Sequence, residues 1–469
     1  MANDSCVADH SVSEWVCSST AWLPAEPAEW RSGGSIIGAA APHSLKSNTN
    51  MPTQHSHCIV IGAGIIGSLC ALQLRQQGLE VTLIERDPDA LCCSTGNAGS
   101  ISSASVAPLG MPGMWKKVPG MLLDRDGPLS IQPAYALRAA PWLLRFLAAS
   151  NVRQVEQASL ALAAINQQAT DLYRALAQQL QADDLLRFTG QLQVYTSQAA
   201  RDGDAAGWAL RRARGIEIHE LDGAALHDLE PAVGAQFTRA VFVPGEGMVV
   251  NPQRLLHTVR QRFVAAGGTL LQAAVTQLSE QPGAGLLLET TQGPWSAQQV
   301  VIAAGAWSHR LAQQMGDHIP LQTQRGYHVV FPDSGVTLQR PVVAAEAKCF
   351  AVPMEMGLRV AGTVEFASLD APPTQRRIDA LVRHSQQIFP GLRASALTQH
   401  SDWMGNRPCL PDSLPVIGRS SRSPRVLYAF GHGHLGLTQA PMTAQIITSQ
   451  VLARQAPIDL APYRATRFH

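Results

Sequence analysis

Three glycines, in the order Gly62-Ala63-Gly64-Ile65-Ile66-Gly67, follow a short apolar run from His57 to Ile61. An acid, Glu85, closes a second apolar run, Glu80 to Ile84, about twenty residues further on. This spacing can cradle a pyrophosphate. Gly62 permits the tight turn, Gly64 lets the backbone approach the phosphates, and Gly67 lets the next helix pack closely on the strand. Ile65 and Ile66 lie between, where a helix start offers free N–H groups and a partial positive charge. Glu85 can accept hydrogen bonds from ribose hydroxyls, while Arg86 beside it could in principle serve a 2′-phosphate. The turn therefore indicates a dinucleotide without separating FAD from NAD.

The flanking elements support that chemistry. Ser68 to Gln77 has helical periodicity (Leu69, Leu72, Leu74) and ends near Gly78, so strand, turn, helix, strand and acid stand in register. Ser94-Thr95-Gly96-Asn97-Ala98-Gly99-Ser100 follows, small enough to lie against a ligand and equally consistent with an ordinary turn. A later strand, Gln299 to Ala304, runs into Gly305-Ala306-Trp307-Ser308, and small residues at a strand's end imply a close neighbour. Residues 267–275 read as a strand of the same sheet. Near the C-terminus, strand Val426 to Phe430 leads into Gly431-His432-Gly433-His434-Leu435-Gly436-Leu437 and a further helix. Val152 to Gln181 reads as one long helix, a strut rich in Ala and Gln.

Composition narrows the class. With 469 residues, two domains are expected. An apolar fraction of 46%, a charged fraction of 15% and a formal net charge of +1 argue against a nucleic-acid surface or polybasic patch. No apolar run approaches the roughly 18 residues of a membrane span. Eight cysteines lie scattered, without zinc spacing, as reduced thiols of a cytoplasmic enzyme would; no metal site is expected. Residues 1–50 lack helix or strand periodicity. The sequence suggests a start at Met51, with 1–50 a start-site artefact or else a disordered extension.

Taken in order, the GAGIIG turn with Glu85, the STGNAGSIS loop, the VIAAGAWS strand, the NRPCLPDSLPVIG segment and the GHGHLGLT junction resemble the D-amino-acid dehydrogenase group. That group belongs to the FAD-dependent D-amino-acid, glycine and sarcosine oxidase superfamily, and the resemblance spans roughly Ser56 to Phe468. Within the group, Val352 to Phe366 and the GHGH junction point to a D-proline or D-hydroxyproline dehydrogenase-like member.

The resemblance implies an α/β fold: a Rossmann-type FAD-binding domain plus an α+β substrate domain with antiparallel sheet. The first would comprise 51–100, 150–185, 245–310 and 400–469; the second 101–149, 186–244 and 311–399, with strands at Gly190 to Tyr195, His328 to Phe331 and Leu358 to Gly362. Non-covalent FAD would be held at the pyrophosphate by Gly62, Gly64 and Gly67, at the ribose by Glu85 and at the adenine side by the Val275 main chain. Ser94, Asn97, Ala98 and Gly99 would line the ribityl chain and ring edge. Gly431 to Leu437 would meet the pyrimidine, where backbone N–H groups offset negative charge. Arg407 matches the arginine that clamps the substrate carboxylate, a task suited to a guanidinium's paired donors. Tyr327 and His328 are candidates for the substrate wall, and His432 and His434 for hydrogen bonds to flavin or substrate. Cys409 reads as a packing thiol.

The implied reaction is oxidative deamination of a small D-amino or cyclic imino acid, by hydride transfer from Cα to flavin N5. Electrons would pass to a quinone or another carrier, and peripheral association at the inner face of a membrane is compatible with this. Direct use of O2, or an FAD-holding subunit of a larger complex, remain as alternatives. Residues 104–148 and 187–247 match the group least, leaving substrate identity open.

Overall fold

In the computed structural model, residues 54–124, 126–281 and 285–469 are described; the expectation for residues 1–50 lies outside them. Strands β1 (Gln54–Ile61), β2 (Val81–Glu85), β3 (Thr269–Gln272), β4 (Gly293–Ile302), β5 (Gln322–Phe331), β6 (Gly357–Phe366), β7 (Ser401–Cys409) and β8 (Val426–Phe430) position the candidate residues. Helices α1 (Ile65–Gln76), α2 (Val152–Asn166), α3 (Ala169–Leu180), α4 (Pro252–Ala265) and α5 (Gly436–Val451) support them.

Among the described residues, one eight-stranded sheet has the parallel order β3-β2-β1-β4, with β8 parallel to the C-terminal half of β4. An antiparallel pair, Val275–Gln281 and Gly285–Thr290, extends it from the N-terminal half of β4. β1, β2, β4 and β8 thus all end on one edge, the carboxyl edge where open parallel sheets bind ligands. Cys58, Val60, Leu83, Val301 and Leu427 face α1, α4 and α5 across one apolar core. Ile59, Ile61, Ile84, Val300 and Tyr428 form a second core on the other side.

A nine-stranded sheet, mostly antiparallel, carries β7-β5-β6 at one end. β7, which the sequence groups with the nucleotide-binding segments, pairs with β5 along its whole length. Its alternating side chains therefore belong to this second sheet. Val329, Phe331, Val360 and Leu381 form the core behind that sheet.

The long helix expected from 152 to 181 is broken in two. Asn166 is buried and gives its side-chain amide to the Ser105 carbonyl (2.7 Å), ending α2. The chain then turns through Gln167 and Gln168, and α3 packs Tyr173 onto α5. Pro441 deprives the Leu437 carbonyl of its usual i+4 donor, and the Tyr173 hydroxyl donates to it instead at 2.6 Å. A proline is therefore tolerated early in α5 without an orphaned carbonyl.

Candidate functional site

The glycine turn joins β1 to α1 at the carboxyl edge. Gly62 has φ +101°, and a Cβ there would stand 2.6 Å from the Ala303 carbonyl oxygen at the end of β4. A Cβ on Gly67 would lie 1.9 Å from the Gly62 carbonyl oxygen, which is the close helix–strand packing the sequence implied. Gly64 differs: its nearest obstacle is the Ser94 hydroxyl at 3.2 Å, a flexible group. Its missing side chain clears the start of α1. The Ser94 hydroxyl accepts a hydrogen bond from Ile65 N–H (2.9 Å), so the first helical turn is already oriented toward oxygen acceptors.

Glu85 accepts from Ala63 N–H through Oε2 at 2.8 Å, tying its carboxylate to the turn. Arg86 lies over the Trp307 ring, 4.0 Å from its centre, and so brings the Gly305 segment beside the end of β2. Gly305 itself has φ +54°. Val275 opens its strand two residues after Ala273, whose N–H donates to the Glu85 carbonyl at 2.9 Å. Arg260 on α4 escaped the sequence analysis. Its guanidinium donates to the Ala63 carbonyl (Nε, 3.0 Å) and to that of Pro88 (2.6 Å), bracing the turn from behind. An exposed-looking arginine about two hundred residues away carries no local signal for that role.

The 94–99 loop crosses from this turn to the second sheet. Asn97 folds its side-chain oxygen onto Gly99 N–H (2.8 Å), and Gly99 has φ +77° where a Cβ would meet the Val249 carbonyl at 2.4 Å. Ala98 packs against the first apolar core.

Register sorts the residues of the second sheet. Gln324 stands opposite Arg407, Gly326 opposite Gly405 and His328 opposite Trp403, so these share one face. Arg359 of β6 joins them, being opposite Val330 of β5. This face meets the 94–99 loop: His328 Nδ1 pairs with the Gly96 carbonyl (3.0 Å) and Arg359 Nη1 donates to that of Asn97 (2.6 Å). Trp403 stacks on His328 at 5.1 Å between centres and fills the space left by Gly96 and Gly405.

Tyr327 does not join this group. It stands opposite Met404, with its side chain on the reverse face beside Arg325. There it is 1% exposed, donating to Glu365 Oε2 (2.6 Å) and accepting from Thr374 N–H (3.1 Å). The two-residue alternation of a strand separates it from His328, so only one of two adjacent candidates faces the loop.

Arg407 is half-buried and forms no ion pair among the described residues. Gly326 leaves room for its guanidinium, since a Cβ there would fall 2.0 Å from Arg407 Cζ. Nη1 donates to the Thr363 carbonyl at 3.1 Å. Thr363 has φ +56°, a costly backbone state for a residue with a Cβ, and such states concentrate at functional sites. Burial lowers the Arg407 pKa. Burial and the charges of Arg359 and Arg407 push His328 down to about 3. Cys93 and Cys409, beside Arg407, are pushed up to about 12, chiefly by burial, and stay neutral thiols.

The Gly431–Leu437 segment follows β8. Gly433 N–H donates to the Pro408 carbonyl (2.8 Å), joining it to β7. Leu435 and Leu437 pack their side chains into the apolar core, and Leu435 N–H closes a turn on the His432 carbonyl at 2.9 Å. His434 is exposed, and protein around it together with Arg407 lowers its pKa to about 4. His432 turns away: it is 6% exposed and its Nε2 pairs with the Thr443 hydroxyl of α5 at 3.0 Å.

These features suit a dinucleotide-linked flavin. The cleared helix start at Gly64 fits a pyrophosphate, Glu85 stands at the end of β2, and main-chain groups precede α5 where a ring's electron-rich edge would lie.

Comparison with known proteins agrees with that fit. The profile described as "DAO: FAD dependent oxidoreductase" matches residues 57–450. A D-amino-acid oxidase from Bradyrhizobium diazoefficiens is 35% identical over 416 residues, covering 88% of this chain and 99% of that protein. D-amino acid dehydrogenase 2 from Ralstonia nicotianae is 32% identical over 426 residues, covering 87% and 99%. Among solved structures, glycine oxidase from Geobacillus kaustophilus superposes with a TM-score of 0.70 at 22% identity, covering 88% of this chain and 99% of that one. L-proline dehydrogenase from P. horikoshii gives 0.68 at 16% identity, covering 89% and 98%.

Proposed function

This chain belongs to the DAO family of FAD-dependent oxidoreductases, and from that premise we propose that it oxidises the Cα–N bond of a small D-amino or cyclic imino acid. It is an FAD-dependent oxidoreductase acting on amino donors. The observation that carries the finer reading is Arg407: a guanidinium without an ion pair among the described residues, on the sheet face that meets the 94–99 loop.

FAD bound between the glycine turn and the start of α5 would supply the acceptor for the hydride leaving Cα. Arg407 would hold the substrate carboxylate by paired charge-assisted hydrogen bonds, fixing the direction of the Cα–H bond. His328, held neutral, would present Nε2 as an acceptor for the amine, because Nδ1 is committed to the Gly96 carbonyl. Backbone N–H groups of His434, Gly436 and Leu437 would offset charge at the pyrimidine side. The imine product hydrolyses in water unaided. The 352–366 stretch and the 431–434 junction support D-proline or D-hydroxyproline as substrate, with a quinone or similar carrier taking the electrons.

Among the described residues, no helix is long and apolar enough to cross a membrane. Peripheral docking on an anionic bilayer belongs to the same proposal. Leu109, Trp115, Leu123, Leu137, Leu144 and Val152 are large apolar side chains exposed within one short stretch, interleaved with Lys116, Arg138 and Arg145. Co-sedimentation with phosphatidylglycerol vesicles, lost in Leu123→Glu, would support it; equal recovery with neutral vesicles or none would refute it.

The reaction is tested by adding D- and L-amino acids anaerobically to the yellow holoprotein, the panel including D-proline, cis-4-hydroxy-D-proline, glycine and sarcosine. Bleaching by a D-substrate supports the reading, and reoxidation by air or by a quinone then identifies the acceptor. A flavin that nothing bleaches overturns it in favour of an electron-relay subunit.

A further inference from the structure

Arg359 is 5% exposed, and a buried guanidinium ordinarily meets a carboxylate. Among the described residues none is within ion-pair distance of it. Nη1 donates to the Asn97 carbonyl, Nη2 approaches the Met356 sulfur at 3.8 Å, and Nε has no partner. An uncompensated buried charge is costly, so it is retained where an anion arrives in the working state.

The surroundings say which anion. On β5, His328 faces Arg359 while Arg325 and Tyr327 face away; on β6, Glu365 also lies on the reverse face, bound to Tyr327 and Thr374. On β7, Arg407 and Cys409 share the face of His328. The loop contributes Cys92 and Cys93, and the segment before α5 contributes His434, with His432 turned into the helix. The cysteines Cys93 and Cys409 are held as thiols and the histidines His328 and His434 as neutral rings. Two guanidiniums are the charges left. The imidazole of His328 lies within the field of both.

We propose that Arg359 is a second fixed cation of the substrate site, which with Arg407 makes the site take the amino acid as its anion, amine neutral, in preference to the zwitterion. The inference rests on Arg407 as the carboxylate clamp. Only the neutral amine carries the lone pair that drives hydride loss from Cα, and among the described residues no carboxylate on this face can accept a proton from an ammonium. Two positive charges make the ammonium form unfavourable, and its proton leaves to solvent before or during binding. Arg359 thus acts through the field, while Arg407 touches the substrate. A like charge acting on the bound amine lowers its pKa by about one unit.

The test compares Arg359→Gln, which can still donate to Asn97, with Arg359→Lys, which keeps the charge. Burial lowers the Arg359 pKa to about 10. The rate of anaerobic flavin reduction at saturating substrate is therefore followed from pH 6 to 9, where Arg359 keeps its charge and the rate reports the amine pKa in the complex. Expected is an acid limb about one pH unit higher in the glutamine variant and unmoved in the lysine variant. Limbs unmoved in both, or moved alike in both, overturn the proposal. If the glutamine protein does not fold, Arg359→Met takes its place as the neutral variant: a raised limb supports the proposal and an unmoved one overturns it. Benzoate affinity, read from the flavin absorption shift, should fall several-fold in Arg359→Gln only, and equal affinities would count against the charge. That titration needs no turnover, so it separates failure of this inference from failure of the assigned reaction.

Discussion

Tyr327→Phe separates two roles that sequence alone could not. Adjacent to His328, Tyr327 reads as a wall of the substrate site; the fold puts its hydroxyl on the opposite face, donating to Glu365 (2.6 Å) and accepting from Thr374 N–H (3.1 Å). Glu365 keeps Arg325 at 3.3 Å and the Thr374 hydroxyl at 2.8 Å after the change. The loss is therefore one charge-assisted hydrogen bond plus an unsatisfied N–H, about 1.5–3 kcal/mol. For a chain of this size that lowers the midpoint of thermal unfolding by about 1–3 °C. Differential scanning of the holoprotein would read the shift, and steady-state kinetics on the substrate that bleaches the flavin would read function. The midpoint should fall while KM stays within about twofold, since no substrate contact is removed. A KM raised tenfold or more with an unchanged midpoint would refute the face assignment and restore Tyr327 to the substrate wall.

Arg407→Ala should raise KM by about 10- to 150-fold through loss of a charge-assisted clamp, with FAD still bound; unchanged KM would remove Arg407 from the site. Gly67→Ala should abolish FAD retention, because its Cβ would sit 1.9 Å from the Gly62 carbonyl; a full flavin spectrum after gel filtration would contradict the packing. Acid should destabilise the fold below the usual histidine range, because His328 and His432 are pushed from 6.5 to about 3. The unfolded chain takes up these protons first, so stability present above about pH 6.5 is lost as pH falls toward 3, by up to about 2–3 kcal/mol per unit. Urea unfolding from pH 7 to 4 should therefore show a shallower slope in His432→Gln, and an identical slope would mean that His432 is already charged in the fold.

The nucleotide-binding half was legible because its constraints are local. The conformation at Gly62, the clearance at Gly64 and the packing at Gly67 all arise within six consecutive positions, and Glu85 is fixed by one helix and one strand. The substrate face was not legible in the same way. Whether Tyr327 or His328 faces the loop depends on strand register, and a shift of one residue exchanges them. Arg359 gave no signal either, because in the run Leu358 to Gly362 a buried arginine reads as a solvent-facing polar position. Its role appears only once Asn97, 262 positions earlier, is seen against it. The break in the expected 152–181 helix has the same origin: the amide of Asn166 finds a carbonyl at Ser105, which no periodicity within the helix records.

The 94–99 loop ties the glycine turn to the second sheet. Its first residue caps the helix that follows the glycine turn, through Ser94 and Ile65 N–H. Its middle carbonyls, at Gly96 and Asn97, are held by His328 and Arg359 of the second sheet. One short segment thus fixes both the tautomer of His328 and the geometry at the start of α1. A carbonyl at Gly96 makes Nδ1 the protonated nitrogen, so Nε2 can only accept, which suits a neutral amine. Were the loop displaced, His328 would lose that bond and its tautomer would be free, while Arg359 would lose its strongest donor contact. Under the proposed reaction, cofactor seating and amine selection would be coupled through these two hydrogen bonds to adjacent carbonyls.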